Sequence, residues 1–514
     1  MLSRNSREIM DDRYKVDRKW FPIFLIIVGS TSVTLLGILL GISGSYASAI
    51  VIGICAMAII FLLRQDELAA VYILAIHLYV DWYLGLGVIA LPLACALLVS
   101  IFLRRSPEHC WQAPRHLWLW GLFLLLSIFP ALHGISLGDT LFYYFNIIAG
   151  ALLMFWLGIV IVWNTANLKR VIDFLSALGT LVAIHAIIQA TTGYTLFATD
   201  RFDSYFATIS DYIIADTLHR TGSFLINPDS SGSFFAMMLL LPLGLFSRNA
   251  SMMKKIFYST QIVIITIALL FSYSTGGWAA AGVGLFVFIV LIKQTRYRLH
   301  IIMFSIIIGL IILCLFPQQL SVQIQHASTP SELLLRQGAW KTGIQVIRAF
   351  PLTGVGLGRY VYIIRAEPYR VIEQYRPLTH PHNSYLELAA LAGIPLLVIF
   401  VALLVIPLWS ALYNWIHTDI KQCPQLSGGI AAIVALSFNS FVISGWTLAP
   451  LAAIGWFLLG CISSPLLLKA QSHEAANEQT QWAHSEQGGT TISDTEENNW
   501  KRIFKEGDNG FVKK

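Results

Sequence analysis

The strongest constraint on this chain is a recurrence of long apolar runs. A run of about 17–25 apolar residues is long enough to cross a bilayer as an α-helix. Fourteen are legible, starting near Phe21, Tyr46, Leu68, Leu84, Leu117, Thr140, Val171, Ser231, Ile256, Gly277, Leu299, Leu386, Gly428 and Leu448. Composition agrees, since only 12% of residues are charged and 56% are hydrophobic, whereas a soluble domain carries about 25% charged residues. The expected fold class is an all-α polytopic membrane protein with about 12–14 transmembrane helices and a large extracytoplasmic loop that contains an amphipathic helix. The stretch 68–103 also fits one long helix with a re-entrant part.

Basic residues orient such a chain, because Lys and Arg collect in cytoplasmic loops. With a cytoplasmic N-terminus, the inner loops hold Arg64; Arg104, Arg105 and Arg115; Lys169 and Arg170; Arg248, Lys254 and Lys255; Lys293, Arg296 and Arg298; Lys421; and Lys469. The short outer loops hold neither residue type. Both termini are therefore expected on the cytoplasmic side of the membrane. Residues 1–20 form an N-terminal tail, 21–470 the transmembrane domain, and 471–514 a polar, disordered cytoplasmic tail. The charged opening "MLSRNSREIMDDRYKVDRKW" does not read as a cleavable signal peptide. The net charge of +6 is scattered over short loops, which argues against nucleic acid as a partner. The six cysteines show no CxxC spacing, so neither disulfides nor a metal site is expected.

Two outer loops are long, about 191–230 and 317–382, and long loops are usually functional. The larger holds Arg336, Lys341, Arg348, Arg359, Arg365, Arg370 and Arg376 against Glu332, Glu367 and Glu373. That excess makes an electropositive cap suited to a lipid-linked phosphate, because a guanidinium binds phosphate oxygens in pairs. Within it, "PSELLLRQGAWKTGIQVIRAF" predicts a helix with Ser331 as N-cap and an apolar stripe of Leu333, Trp340, Ile344 and Ile347. "PLTGVGLGRY" follows, and its glycines suit a tight turn that brings backbone against another segment or a ligand.

The smaller loop ends in "HRTGSFLINPDSSGSFF", where Arg220 stands close to a span start and 227–230 signals a helix beginning. At the end of the larger loop, "THPHNSYLEL" contains Ser384 and Glu387 in capping-box spacing. A capping box leaves His380 and His382 unexplained. A histidine beside an arginine-rich loop can act as a general base near neutral pH, with nearby guanidinium groups favouring its neutral form. His77 and Asp81, an i, i+4 pair, are expected to meet on one helix face in a structural role.

These segments together resemble the bacterial O-antigen ligase and Wzy-type O-antigen polymerase superfamily. "RQGAWKTGIQVIRAFPLTGVGLGRY" and "HPHNSYLELAALAGIP" are similar to its signature, and "RTGSFLINPDSSGSFFA" to its upstream arginine motif. The resemblance spans about 220–400. It implies a membrane glycosyltransferase that moves or polymerises glycan from an undecaprenyl-diphosphate donor to an acceptor hydroxyl, outside the inner membrane, with no cofactor and no metal. The acceptor is a glycan, a lipid or a protein, and a flippase or chain-length regulator is a further partner. On that resemblance Arg220 and Arg336 bind the diphosphate with help from Arg348 or Arg359, His382 is the base, and Asn383 and His380 support it. The chain departs from the family pattern at Thr275, Leu391 and Leu396.

Two readings from other classes stand beside this one. A small-anion, bicarbonate-like transporter would place polar residues and broken helices at mid-membrane, whereas the charges here gather outside. A non-catalytic assembly partner in an envelope complex is the other.

Overall fold

The structure is a computed structural model, which describes residues 65–83, 89–104, 116–193, 213–215, 218–246, 251–318, 320–321, 330–358, 360–374, 377–418 and 423–467. The runs near Phe21 and Tyr46, the tail after 470 and Arg359 lie outside these residues. From Leu68 onward every apolar run read from the sequence has a helix at its place. The helices are α1 (Asp66–Ile76, continued by a π-helical turn His77–Tyr83), α2 (Ala90–Arg104), α3 (Leu117–Leu132), α4 (Leu137–Ile161), α5 (Thr165–Thr192), α6 (Pro228–Leu245), α7 (Met252–Ser272), α8 (Thr275–Leu291), α9 (Thr295–Leu315), α10 (Pro330–Ala349), α11 (Val361–Arg365), α12 (Ser384–His417), α13 (Cys423–Asn439) and α14 (Ala449–Ser463). The protein is thus an all-α polytopic membrane protein. Among the described residues five helices, α4, α5, α7, α12 and the Arg298–Leu315 part of α9, are long and apolar enough to cross a membrane outright. A two-stranded ribbon, Ile213–Ala215 with Leu218–His219, was not foreseen.

The helices alternate in direction, and their ends sort by charge. At one end Arg104 pairs with Asp66 at 2.6 Å, Arg170 with Glu67 at 3.2 Å and Lys169 with Asp173 at 2.7 Å. Lys293 at that end donates to the Trp415, Ile416 and Thr418 carbonyls, which close α12. The opposite end carries Arg220, Asp229, Arg336 and His382. Stretch 68–103 forms two helices rather than one. The Asp81 carboxylate turns the chain between them by accepting from the Ile89 and Ala90 amides, and it meets His77 at 3.0 Å as expected.

α6 is buried nearly all round, which fits a helix without a polar face at the centre of a bundle. It crosses α8 where Gly232 meets Gly277, and a side chain at either would strike the other's backbone or Ser274. Close backbone approach through small residues is how membrane helices gain packing contacts without a hydrophobic driving force. That crossing brings the N-termini of α6 and α8 together at the charged end.

α12 is broken near its start. Gly393 has φ +84 and Pro395 follows, so the helical bonding pattern stops there. The loop after α10 splices the break. Val355 and Gly356 donate to the Ala390 and Leu391 carbonyls at 2.9 Å, and Ile394 donates to the Pro351 carbonyl at 2.8 Å. Only glycine fits at Gly354 and Gly393, where φ is positive and a Cβ would collide with the facing backbone. The glycine turn therefore bridges backbone to backbone, one of the two roles its sequence suggests. It satisfies carbonyls that would otherwise stand open in an apolar setting.

α10 departs from expectation on two points. It begins at Pro330, so Ser331 lies inside its first turn rather than at the N-cap. The buried face is Leu335, Gly338, Ala339, Thr342, Gly343 and Val346, whereas Ile344 on the expected stripe is exposed. Small residues face inward because α10 lies tightly on the chain, with Gly338 against the Gln374 backbone and Gly343 against Pro381.

Candidate active site

Three of the helices that start at the charged end begin in the same way. Asn227 caps α6 by accepting from the Asp229 and Ser230 amides, Ser274 caps α8 by accepting from Gly277, and Asn383 caps α12 by accepting from Tyr385 and Leu386. The residue before each cap, Ile226, Tyr273 or His382, has φ between +49 and +68. Left-handed backbone is uncommon for such side chains and tends to gather at functional sites. Ser223, two residues past Thr221, is the remaining non-glycine case among the described residues.

Asp229 stands where these starts converge. Its Oδ1 accepts from Arg220 Nη2 at 2.9 Å and its Oδ2 from Arg336 Nη2 at 3.0 Å. Arg220 is 7% exposed and also donates through Nε to the Ser272 carbonyl that ends α7, at 3.2 Å. Its segment is pinned to α5, where Gln189 Oε1 accepts from the Thr221 hydroxyl and the Ser223 amide. Asp229 precedes the apolar run that begins at Ser231. Burial alone would raise its carboxyl, but Arg220, Arg336, His382 and the Ser274 hydroxyl outweigh burial and hold it at about 2. The carboxylate is therefore ionised at neutral pH. The centre of the site holds two guanidinium groups against one carboxylate, with three helix N-termini adding positive potential.

Of the residues singled out in the sequence, the structure brings Arg220, Arg336 and His382 together around Asp229. Asn383 serves as the α12 cap and follows His382 directly. Ser384 does not form the expected capping box. Its amide instead donates to the Ser440 and Ile443 carbonyls, and its hydroxyl accepts from Trp446. Glu387 turns away from the helix start and accepts from the Ser444 and Thr447 hydroxyls at 2.6 and 2.7 Å. The box fails because the 440–447 segment packs on this turn and supplies partners of its own. His380 lies beside His382, with ring centroids 4.4 Å apart and nearly perpendicular.

Arg348 is exposed and sits twelve residues beyond Arg336 on α10, about 18 Å along the axis at 1.5 Å per residue. It is not brought to Asp229. The loop's other charges are largely spent within the loop. Lys341 pairs with Glu373 at 2.6 Å, Arg370 with Glu367 at 2.8 Å, and Arg365 donates to the His133 and Val355 carbonyls. Among the described residues the basic cap is thus concentrated in a pair of arginines, Arg220 and Arg336, at Asp229. Thr275 is the exposed first residue of α8, and Leu391 and Leu396 are buried at the α12 break.

Sequence reasoning missed Asp229 and the second role of Glu387. Asp229 reads locally as an ordinary acidic residue in a helix's first turn. The signal available was its place two residues after a Pro-bearing cap and nine after Arg220.

Residues 261–401 match the family Wzy_C, O-Antigen ligase. No curated protein matches the chain. The matched segment holds Ser274, Arg336, His380, His382 and Asn383, while Arg220 and Asp229 lie upstream of it. The coarse function that follows is O-antigen ligase- or polymerase-type glycan processing in a membrane, by an enzyme that transfers glycosyl groups.

Proposed function

We propose, from the premise that this chain belongs to the O-antigen ligase and Wzy-type polymerase superfamily, that it transfers or polymerises glycan from an undecaprenyl-diphosphate donor to an acceptor hydroxyl. The observation that carries this reading is the convergence of Arg220, Arg336 and His382 on Asp229 at one end of the bundle. Arg336 is only part-buried where it meets Asp229, so a donor diphosphate oxygen can reach its guanidinium, and Arg220 adds its charge from behind Asp229. Asp229 then serves as a fixed counter-ion that holds the two guanidinium planes ready without rearrangement.

In the proposed step the acceptor oxygen attacks the anomeric carbon of the donor sugar. A new glycosidic bond forms as the bond from that carbon to the phosphate oxygen breaks. The bonding electrons leave with the lipid diphosphate, whose growing negative charge the arginines stabilise more in the transition state than in the ground state. The acceptor's proton passes to His382. Attack opposite the leaving group inverts the anomeric centre, and no metal is invoked. This end of the bundle is assigned to the extracytoplasmic side of the bacterial inner membrane, since the opposite end carries the Lys- and Arg-rich short loops. A flippase supplying the donor and a chain-length regulator are compatible partners.

Transfer from lipid-linked glycan by purified protein tests the reading. His382→Ala is expected to abolish it, and transfer at the wild-type rate would overturn the assignment of the base.

A further inference from the structure

Outside the arginine cluster, a second polar chain runs from the buried side of α12 to the same histidines. Glu387 is 6% exposed. Its Oε2 accepts from the Ser444 hydroxyl at 2.6 Å and from the Thr447 hydroxyl at 2.7 Å. Ser444 Oγ lies 3.1 Å from His380 Nδ1. The His380 ring meets the His382 ring edge to face, and His382 is close enough to Asp229 for its charge to act on that carboxyl.

Proton counting gives this chain a direction. Ser444 has one hydroxyl hydrogen, and an ionised carboxylate can only accept. The 2.6 Å contact therefore takes that hydrogen to Glu387. The His382 amide donates to His380 Nδ1 at 3.2 Å, a bond that only a bare ring nitrogen can accept. The Ser444 oxygen stands 3.1 Å from the same nitrogen, so the ring is held between the His382 backbone and Ser444. Glu387, by holding Ser444, sets where the His380 ring stands beside His382.

We propose that Glu387 and Ser444 are positioning residues for the histidine pair: the carboxylate orients the Ser444 hydroxyl, Ser444 fixes the His380 ring at Nδ1, and the His380 ring buttresses His382. This rests on the transferase reading above, in which His382 is the base. The groups facing the chain are Thr447, Tyr143 and Tyr362 around Glu387, His382 and Ser444 around His380, and Asp229 with its two arginines beyond His382. A carboxylate linked through a hydroxyl favours the protonated form of the histidine pair. Cutting the link therefore moves the acidic limb of the rate profile to lower pH.

The experiment compares Ser444→Ala and Ser444→Thr with the wild-type full-length protein in donor-to-acceptor transfer across pH. Ser444→Ala leaves Glu387 its Thr447 partner. It is expected to lower kcat about 10- to 100-fold, to leave KM for the lipid-linked donor within about threefold, and to move the acidic limb down by roughly half a pH unit. Ser444→Thr keeps the hydroxyl and is expected to restore both rate and profile. Should Ser444→Ala not be recovered folded from the membrane, Ser444→Cys, a weak donor of similar size, takes its place with the same expectation. His382→Ala separates the two claims. If it is inactive while the Ser444 variants keep the wild-type kcat and profile, the positioning role alone is overturned. If His382→Ala transfers at the wild-type rate, the positioning role falls together with the reading it rests on.

Discussion

Arg336 and Asp229 are 107 residues apart in the chain and joined by a 3.0 Å ion pair. One belongs to the large loop's helix α10, the other to the first turn of the buried α6. Their contact fixes the loop to the bundle at the point where Arg220 arrives from a third segment. The catalytic proposal, the orientation of the loop and the protonation of Asp229 all depend on it.

Asp229 is expected to make stability depend on pH in one narrow window. Its carboxyl sits at about 2 in the folded protein against an ordinary 3.8. A lowered acid contributes stability that is complete above the higher value and is lost as pH falls through the lower one. The loss between about pH 4 and pH 2 amounts to roughly 2 kcal/mol at about 1.4 kcal/mol per unit. Thermal unfolding in detergent across that window should show it for the wild type and not for Asp229→Asn. Parallel pH curves for the two proteins would contradict the ion-pair geometry.

The three described arginines expected from the sequence to bind diphosphate should separate sharply. Arg220→Lys and Arg336→Lys lose the paired donor geometry, and each is expected to lower kcat/KM by about 10- to 100-fold, in line with ~1.5–3 kcal/mol for a hydrogen bond to a charged group. Arg348→Ala, exposed and about 18 Å along the helix from Arg336, should change kcat/KM by less than about threefold. Steady-state kinetics on the three variants decides whether the site is the arginine pair or the whole basic loop.

At the α12 break, Gly393→Ala should destabilise by about 1–2 kcal/mol or more, because a Cβ there is strained at φ +84 and would meet the Leu352 carbonyl. Gly121→Ala on α3 is the control. Nothing lies near a Cβ at that position, so alanine should be neutral or stabilise by about 0.5–1 kcal/mol. Melting temperatures in one detergent compare them directly.

The two candidate caps of α12 are also separable. Asn383→Ala removes the acceptor for two amides and is expected to cost about 1 kcal/mol. It should also lower transfer, since the cap directly follows His382. Ser384→Thr keeps the hydroxyl that meets Trp446 and Ile443 and should leave transfer unchanged. Equal activity of Asn383→Ala and wild type would show that the start of α12 does not position His382.

Much of this molecule is legible before folding is considered. Helix positions follow from apolar runs because each span must be apolar over its own length, which is a local sum. The alternation of charged ends follows from the same local counting. Arg220, Arg336 and His382 stand out because polar groups at span edges are few in so apolar a chain. The meeting of His77 with Asp81 is likewise fixed by one helix turn.

What only the tertiary structure decided is pairing across distant segments. Nothing near Asp229 in sequence says that it will hold Arg336, and nothing near Glu387 says that Ser444 and Thr447 will draw it from its cap. The burial of α10's face from Leu335 to Val346, with Ile344 of its apolar stripe left exposed, depends on how closely Gly338 and Gly343 let other backbone approach. The break at Gly393 survives because Val355 and Gly356, in a loop upstream, offer amides to its open Ala390 and Leu391 carbonyls. A sequence states which groups need partners. Which groups meet depends on the packing of helices that are remote in the chain, and in an apolar surrounding an unmet polar group is costly enough that packing and pairing settle together.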